Sequence, residues 1–550
     1  MISGGTNHAG ITGRVEGSES AFSKGVSVNE DSDGNKGSKG SKRMTDTTLY
    51  WFRRDLRLHD NPALTFACQS SQALLPVFVH DEKNLQETQW SFPRMGMHRQ
   101  AFERSTLDGL QASLRARGSG LVECTGHPPK VLSALCRELN TTRIVCEEIA
   151  APEEQDDIRA LRAMGIEVQT IWQSTMLSAD TLPWSPAQVP DVFTAFRQGV
   201  EKRGIRFEAC SADICSLPQL PSRLSSMDVN SNANTNAKIY ALPHAITRLG
   251  DRNAQALKPG DPVLPRWDND QDRAVDRGLD PGLAPGWKHA SFPYPLTGFG
   301  GSEHDALAYL ERYFKSDRPA RYKATRNGLS GVDYSTKFSP WLASGALSAR
   351  RIMQCLADFE TKHGQNEGSY WIWFELLWRD HFRWLHLKYG RQLYFKHGLM
   401  SKHLARGSCG DTVSSERLAG RPRIGNQPQT NKPAKTNRDL PALQQWMTGT
   451  TGHPFVDAGM RELSATGYLS NRMRQVVASY LIHDLNVDWR AGAAWFESQL
   501  IDYDVYSNQG NWLYIAGVGT DPRGGRRFNP DKQAADYDPS GAYQKQWGTR

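Results

Sequence analysis

The 550-residue sequence lacks three features that would each assign it to a familiar class. It has no run of about 18 apolar residues, which excludes a membrane-spanning helix. Its eight cysteines are scattered, without a Cys-x-x-Cys pair or matching histidine spacing. Neither a structural zinc site nor a secreted disulfide framework is therefore expected, and a reducing intracellular compartment is favoured. Nucleus, cytoplasm and organelle all stay open.

The charge and composition are those of a large globular protein. Lys and Arg number 66 against 59 Asp and Glu, and the resulting formal charge of +7 permits a polyanionic partner without demanding one. The length exceeds the roughly 250–300 residues at which a single core stops growing, so at least two domains are expected. The unusual count is tryptophan, at 16.

The first part of the chain changes character near residue 47. We predict a flexible tail at 1–46, because Gly and Ser dominate there and apolar periodicity is absent. Residues 47–180 alternate β-rich apolar runs with helical stretches, which predicts a parallel, doubly wound α/β domain. Strands are expected at 48–52, 73–79, 120–124, 142–146 and 166–171, with helices at 95–117, 128–139 and 152–164.

The sheet carries no obvious dinucleotide motif. No Gly-x-Gly-x-x-Gly follows the first strand, so a dinucleotide site of the usual kind is not indicated. A ligand is instead expected at the carboxyl ends of the strands, near 53–55, 80–82 or 146–149.

The second part of the chain is predicted to be helical. Residues 181–300 are rich in Pro, Ser, Asn and Gly and predict a connector that wraps over the surface. Residues 301–530 predict an all-helical domain with a basic insertion at 401–440, followed by an extension at 531–550. The helices are expected at 303–316, 346–360, 369–388, 456–466, 469–485 and 490–501.

One predicted helix combines aromatic and charged side chains. Residues 368–389 hold four Trp, which is typical of a buried core helix. The spacing alone does not distinguish such a helix from one that lines a ligand pocket. Glu375 and Trp378 share a face, with Arg379 one turn beyond Glu375. A carboxylate beside Trp and Arg is costly in a sealed core but natural in a pocket that stacks a planar ligand.

Two further clusters are polar. Asn471, Arg474 and Gln475 fall on one stripe of the helix at 469–485, which could equally be solvated surface. The Asp-x-Asp at 502 and 504 lacks further metal ligands at suitable spacing, and Arg474 offers a carboxylate–guanidinium pair instead. Close backbone approaches are expected at Gly510, Gly517 and Gly519, around Trp512 and Tyr514.

In this order the clusters resemble the photolyase/cryptochrome family, and within it the cryptochrome DASH branch. The resemblance runs from about Leu49 to Trp547, except for the insertion. Four motifs carry it: WFRRDLRLHDNPAL (51–64), YKATRNGLSGVDYSTKFSPWLASGALSAR (322–350), TGHPFVDAGMRELSATGYLSNRMRQ (451–475) and DYDVYSNQGNWLYIAGVGTDPRGGRRFN (502–529).

The resemblance implies a non-covalently bound FAD in the helical domain. The phosphates would be held by Tyr322, Ser335, Thr336, Lys337, Phe338 and Ser339, and free backbone N–H groups suit such anions. Asn471, Arg474, Asp502 and Asp504 resemble the polar wall of the flavin and ribose, and Arg379 belongs to the implied cofactor set. Asn508 falls where repair enzymes of the family keep Asn, which favours repair competence.

The resemblance also implies a substrate pocket for a flipped-out pyrimidine dimer. Its residues would be Glu375, Trp378, Arg472, Gln475 and Tyr514, with Trp378 and Tyr514 as stacking walls. Gln475 and Tyr514 are the choices of the DASH branch, which is associated with dimers in single-stranded or looped DNA. Glu375 would hydrogen-bond a base carbonyl.

Electron supply and light harvesting follow from the same resemblance. Trp512 and Trp489 match the inner and middle members of the family's tryptophan chain, whereas Thr436 falls at the outer position. The second chromophore of the branch is methenyltetrahydrofolate. Glu148 resembles the carboxylate that binds its pterin, but Glu147 is equally plausible by residue type, and an exposed strand-end acid is an equal alternative.

The function expected from these residues is light-driven, FAD-dependent repair of cyclobutane pyrimidine dimers by a monomer that prefers single-stranded DNA. The alternative is a blue-light photoreceptor that signals through a protein partner. A third interpretation, a basic nucleic-acid-binding protein with a vestigial flavin, is not favoured by the phosphate loop.

Overall fold

The computed structural model describes residues 45–222, 291–294, 298–400 and 439–548. All of them belong to one compact unit, which spans 44–550. Most of the predicted tail, the whole of 225–238, the insertion as far as residue 438, and Thr436 lie outside the described residues.

The first half is built on a five-stranded parallel sheet of order β3-β2-β1-β4-β5. This confirms the predicted doubly wound α/β domain. The strands are β1 (Thr45–Phe52), β2 (Ser71–Asp81), β3 (Val122–Gly126), β4 (Arg143–Glu147) and β5 (Glu167–Ile171).

Helices cover both faces of the sheet. They are α1 (Pro62–Ser70), α2 (Met97–Arg115), α3 (Pro128–Glu138) and α4 (Pro152–Ala163). Side chains of β1 alternate between the faces, as the period of two in a strand requires. Leu49 and Trp51 pack with α3 and α4, whereas Tyr50 and Phe52 pack with α1 and α2.

A helix lies within the segment that we expected to be a surface connector. It is α5 (Phe193–Arg203), which ends at the left-handed Gly204. Phe193, Phe196 and Val200 are buried in the core of the second half together with Trp373. This part of the segment thus contributes an apolar face to the core.

The second half is helical in its described part, as predicted. Its helices are α6 (Glu303–Phe314), α7 (Arg318–Thr325), α8 (Ser339–Ser344), α9 (Ala349–His363), α10 (Glu367–Tyr389), α11 (Asp439–Thr448), α12 (Pro454–Thr466), α13 (Asn471–His483), α14 (Trp489–Gln499), α15 (Val505–Ala516), α16 (Pro530–Tyr537) and α17 (Ala542–Trp547). In this described part, no helix is both long and apolar enough to span a membrane.

The two halves are joined by buried polar contacts after β1. Glu303 accepts from the backbone N–H groups of Leu58 and His59 and pairs with the His59 ring. Asp60, which is fully buried, pairs with Arg350 at 3.0 Å. Gly345 has a φ of 78°, and a Cβ there would clash with the Arg54 carbonyl, so glycine permits this close approach.

Candidate functional site

A cavity in the helical half, here called cavity A, gathers many of the predicted residues. Its walls come from α13, from the end of α14, from the segment 500–504 and from α15, and its empty volume is about 550 Å³. Seven predicted site residues line it: Asn471, Arg474, Gln475, Asp502, Asp504, Asn508 and Trp512.

Two capped helix starts place these side chains. The Ser470 hydroxyl caps α13 by accepting from the Met473 N–H, and Asp504 caps α15 by accepting from the Ser507 N–H. From Ser470 onward, the helical period turns Asn471, Arg474 and Gln475 to one side, as the spacing predicted. The polar stripe on α13 therefore lines a cavity.

Arg474 and Asp502 form an ion pair across cavity A. Arg474 Nη2 lies 2.8 Å from Asp502 Oδ2, while its Nε donates to the Leu469 carbonyl. The other oxygen of Asp502 is buried and has no hydrogen-bond partner among the described residues. A buried acceptor of this kind suits a ligand that presents an N–H group.

Asp504 is held by protein donors. Arg383 Nη2 donates to its Oδ2 at 2.6 Å, and the Ser507 N–H donates to its Oδ1. Burial by itself raises the pKa of Asp504, but the charges of Arg383 and Arg379 and the bond from Ser507 lower it to about 2. This carboxylate therefore remains charged and anchors the start of α15.

The predicted phosphate loop has an unusual backbone. Ser335 and Lys337 have φ values of 59° and 58°, in the left-handed region, and the next residue, Phe338, is right-handed. Such pairing turns successive N–H groups to one side and forms an anion-binding nest. The Lys337 ammonium and the Arg474 guanidinium lie over the same ring, that of Tyr468, so the loop adjoins cavity A.

Lys337 is almost fully buried. Burial lowers its pKa to about 8, although Glu462 works in the opposite direction. An anion bound at the loop would further favour the charged form of Lys337. The neighbouring members of the predicted set are Tyr322 on α7, which is buried, the partly buried Ser335, Thr336 and Ser339, and the buried Phe338.

The face of α15 toward cavity A carries Asn508 and Trp512. The Asn508 carboxamide donates to the Ala493 carbonyl at 3.0 Å, which fixes the plane of its amide. Trp512 packs against Gly492 of α14, where a Cβ would come within 2.2 Å of the ring. Trp489 begins α14, shares this core cluster and donates from Nε1 to the Lys396 carbonyl.

Glu375 has a different arginine partner from the one that the sequence suggested. It pairs with Arg326, at the end of α7, and Arg326 also lies 4.7 Å from the Trp371 ring. Arg379 instead donates to the Ser174 carbonyl and pairs with Asp380. The expectation that Arg379 lies beside Glu375 is wrong. The two positions are one helical turn apart, but tertiary packing directs Arg379 to Ser174 and Asp380.

Trp378 and Tyr514 line a second cavity, here called cavity B. Their ring centroids are 6.3 Å apart at an interplanar angle of 73°. Phe193, from α5, stacks on Trp378 with centroids 3.7 Å apart. The remaining wall is largely apolar and the rim is charged: Phe382, Leu385, Leu393 and Leu513 in the wall, Asp191, Asp521 and Arg523 at the rim.

The five predicted substrate residues do not line one cavity. Trp378 and Tyr514 face cavity B, whereas Gln475 lines cavity A. Arg472 Nη2 donates to Asn327 at 3.2 Å, next to Arg326, the partner of Glu375. Glu375 and Arg472 therefore contact adjacent residues, Arg326 and Asn327, which directly follow α7.

A third cavity, cavity C, lies between the two halves. Glu147, Arg379 and Asp504 line it, and Glu148 does not. Glu147 is buried, and one of its oxygens has no partner among the described residues. Burial and the nearby Asp55 raise the pKa of Glu147 to about 7. Of the two adjacent acids, Glu147 is the one that faces the space between the halves.

Two residues of these sites were missed in the sequence, and a third was named only as an alternative. Arg326 lies within the motif at 322–350, where its charge alone does not reveal its partner. Phe193 begins an aromatic pair with Phe196 at helical spacing, a signal that could have identified α5. Glu147 was named only as an alternative to Glu148.

Comparisons with known proteins agree with this arrangement. Residues 48–215 match a family model described as DNA photolyase, and residues 371–549 match one described as the FAD binding domain of DNA photolyase. The Cryptochrome DASH of Xenopus laevis is 38% identical over 505 residues, which cover 90% of this chain and 81% of the relative. The chain belongs to the photolyase/cryptochrome family.

The similarity extends to one branch of the family. The Cryptochrome DASH of Synechocystis sp. is 36% identical over 511 residues, or 92% of this chain and 88% of the relative. The crystal structure of a Synechocystis sp. PCC6803 cryptochrome has a TM-score of 0.70 at 35% identity, covering 92% of this chain and 89% of that chain. These matches confirm the predicted resemblance to the cryptochrome DASH branch, and the helical half is a FAD-binding domain.

Proposed function

We propose that this protein uses blue light and FAD to split cyclobutane pyrimidine dimers, with a preference for single-stranded DNA. One observation carries the proposal. Helix α15 presents Asn508 and Trp512 to cavity A and Tyr514 to cavity B, so a single helix separates the polar cavity from the aromatic one. A cofactor in cavity A and a base in cavity B would thus be separated by the width of one helix, about 10–12 Å.

The residues of cavity A fit the cofactor. The unpartnered oxygen of Asp502 accepts an N–H, Arg474 balances negative charge, and the left-handed Lys337 loop cradles phosphates. Bound FAD, when reduced and excited by light, supplies a one-electron donor. The chain's own task is to hold this group dry and oriented beside the substrate.

The residues of cavity B fit a base. Trp378 and Tyr514 provide flat surfaces, and stacking on such rings contributes about 1–3 kcal/mol per base. Glu375 does not line cavity B but lies one turn from Trp378 on the same helix, and we assign it the hydrogen bond to the dimer while Arg326 balances its charge. A dimer in single-stranded DNA requires no unpairing before it enters, which supports the proposed preference.

The proposal is tested by illuminating the reduced, FAD-loaded protein with dimer-containing oligonucleotides. We expect repaired bases to accumulate under blue light and not in the dark, and faster on single-stranded than on double-stranded DNA. Undamaged oligonucleotide and protein with oxidised FAD serve as controls. If no dimer is repaired on either substrate, the proposal is wrong and the photoreceptor alternative is favoured.

We also propose that methenyltetrahydrofolate binds between the halves as an antenna, with Glu147 as its carboxylate. A pterin presents adjacent N–H donors, and Glu147 offers a buried, unpartnered oxygen in cavity C. Absorbance titration with the folate should give weaker binding for Glu147→Gln than for the neighbouring Glu148→Gln. Equal affinities in both variants would contradict this assignment.

A further inference from the structure

Phe193 occupies one face of the Trp378 ring. The two ring centroids are 3.7 Å apart and the planes differ by only 12°, so the rings are stacked face to face. Phe193 is 6% exposed and also meets Phe374 edge to face. Tyr514 and Phe382 contact the same Trp378 at ring distances of 6.3 and 5.5 Å, at 73° and 39°.

The segment that carries Phe193 is tied firmly to α10. Lys388 Nζ donates to the Val189 carbonyl at 2.7 Å and to Asp191 Oδ1 at 2.6 Å. The Tyr389 hydroxyl donates to the same carboxylate oxygen at 2.7 Å. The His381 Nε2–H donates to the Pro190 carbonyl at 2.8 Å. Phe193 is therefore a fixed part of the wall beside Trp378.

Phe193 and Trp378 both line cavity B, and Phe193 covers one face of the Trp378 ring. We propose that Phe193 is a positioning residue, which holds the Trp378 ring in the orientation in which a flipped pyrimidine base in cavity B can pack on it. The assignment rests on the proposed function, because it concerns how that substrate is bound. Phe193 acts through Trp378, on whose ring it stacks.

The physical reason is the freedom of an unsupported indole. Trp378 is partly exposed, and without Phe193 the space behind its ring would allow other rotamers. Ordering a side chain at the moment of binding costs free energy, so a ring that is already fixed binds a base more tightly. Loss of Phe193 should weaken substrate binding and leave the photochemical step unchanged.

The experiment compares Phe193→Leu, Phe193→Tyr and a matched control. The control is Phe359→Leu, which also removes a buried ring from the helical half, where Phe359 packs on Phe314 and His363. For each FAD-loaded protein, dissociation constants are measured for a dimer-containing single-stranded oligonucleotide and for its undamaged counterpart. Repair per absorbed photon is measured at saturating substrate.

We expect Phe193→Leu to raise the dissociation constant for the damaged oligonucleotide about fivefold. The constant for undamaged DNA, the FAD content and the saturating repair yield should stay at wild-type values, and Phe193→Tyr should restore affinity. The control should bind both oligonucleotides as the wild type does.

Three results would overturn the assignment. They are wild-type affinity in Phe193→Leu, an equal loss for both oligonucleotides, and loss of FAD from that variant, which would mark a packing role. A different failure would appear in the wild type. If it does not distinguish damaged from undamaged DNA, the proposed function fails first, and this assignment fails with it.

Discussion

Glu375 illustrates how a neighbouring arginine limits the rise in the pKa of a buried carboxyl group. Burial raises its pKa, and the paired Arg326 opposes that rise. Arg326 in turn lies over the ring of Trp371, so its position is set by the same helix that carries Glu375. The position of this carboxylate is thus fixed by neighbours that the protein itself supplies.

The first prediction concerns Glu375. Glu375→Ala should keep FAD bound and leave affinity for the dimer largely intact, while repair per absorbed photon falls about tenfold. The reason is the loss of a hydrogen bond to charge that forms on the substrate during the reaction, worth about 1.5 kcal/mol. The yield is measured by counting repaired bases against absorbed light. An unchanged yield would show that this carboxylate does not stabilise the reacting substrate.

A second prediction concerns Asp504 and acid. The pKa of this carboxyl is about 2 in the folded protein, below its unfolded value, so its contribution to stability is present above pH 4 and lost as pH falls toward 2. The loss amounts to about 2–3 kcal/mol. Asp504→Asn retains a helix cap but should lose less stability over that interval.

Urea unfolding measured between pH 5 and 2 checks this expectation. Asp180→Asn, at an exposed position, provides the control and should follow the wild type. If Asp504→Asn shows the same acid dependence as the wild type, the ion pair with Arg383 is not the source of the low pKa.

At the scale of elements, α15 is the helix on which both cavities depend. Its sequence, VYSNQGNWLYIA, includes Gly, Asn and Val, which have modest helix propensity. The cap from Asp504 starts it, and Gly510 lets it approach α10, since a Cβ there would lie 2.2 Å from the Phe382 ring. Packing thus overrides weak propensity in this element.

The third prediction concerns the tryptophan chain that the family resemblance implies, with Trp489 on α14 and Trp512 on α15. Because Thr436 stands where the family has an outer Trp, Trp489 should be the last carrier. A radical left there lies close to the flavin site and should recombine quickly, which makes photoreduction inefficient. Thr436→Trp should raise the photoreduction yield, measured by the loss of oxidised flavin absorbance under blue light.

Repair by chemically pre-reduced protein provides the control for that experiment. It requires only reduced flavin and dimer in contact, so Thr436→Trp should leave it unchanged. The account would be wrong if the wild type photoreduces efficiently and Trp489→Phe does not alter this. The electron would then travel another route.

At the scale of the whole molecule, buried charges hold the halves together. Asp60 is fully buried, and Arg350 and Arg57 lower its pKa against the effect of burial. The Asp60 carboxylate also accepts from the Ser211 backbone N–H at 2.8 Å. Three segments far apart in sequence therefore meet at one carboxylate, close to cavity C.

A fourth prediction follows from this contact. Arg350→Met should reduce the free energy of unfolding by about 3–5 kcal/mol, because it leaves a buried carboxylate unpaired. The double variant with Asp60→Asn should recover part of the loss. Chemical unfolding at neutral pH measures both. A single variant as stable as the wild type would show that water reaches Asp60.

The fifth prediction concerns the basic insertion at 401–440. If it contacts phosphates, its deletion should flatten the salt dependence of DNA binding, since fewer counterions are then released. Binding of an undamaged oligonucleotide is measured over a range of salt concentrations. An identical slope after deletion would establish that the insertion does not contact DNA.

Strong periodic patterns in the sequence predicted most of the described fold. The predicted ends of all five strands, and of nine of the seventeen helices named above, lie within three residues of the observed ends. Elements without such a pattern were missed, among them α5 in a Pro-rich stretch and α15 with its glycine and asparagines. For these, contacts with distant residues contribute more than local preference.

The sequence by itself determined the α/β sheet, the helical half and the polar stripe on α13, because burial and helical spacing are local properties of the chain. Only the tertiary structure decided which charges meet. It paired Glu375 with Arg326 instead of Arg379, turned Glu147 toward cavity C, and brought Phe193 onto Trp378. The reason is that such partners are far apart in sequence, and only the packing of whole elements selects among side chains of the same type.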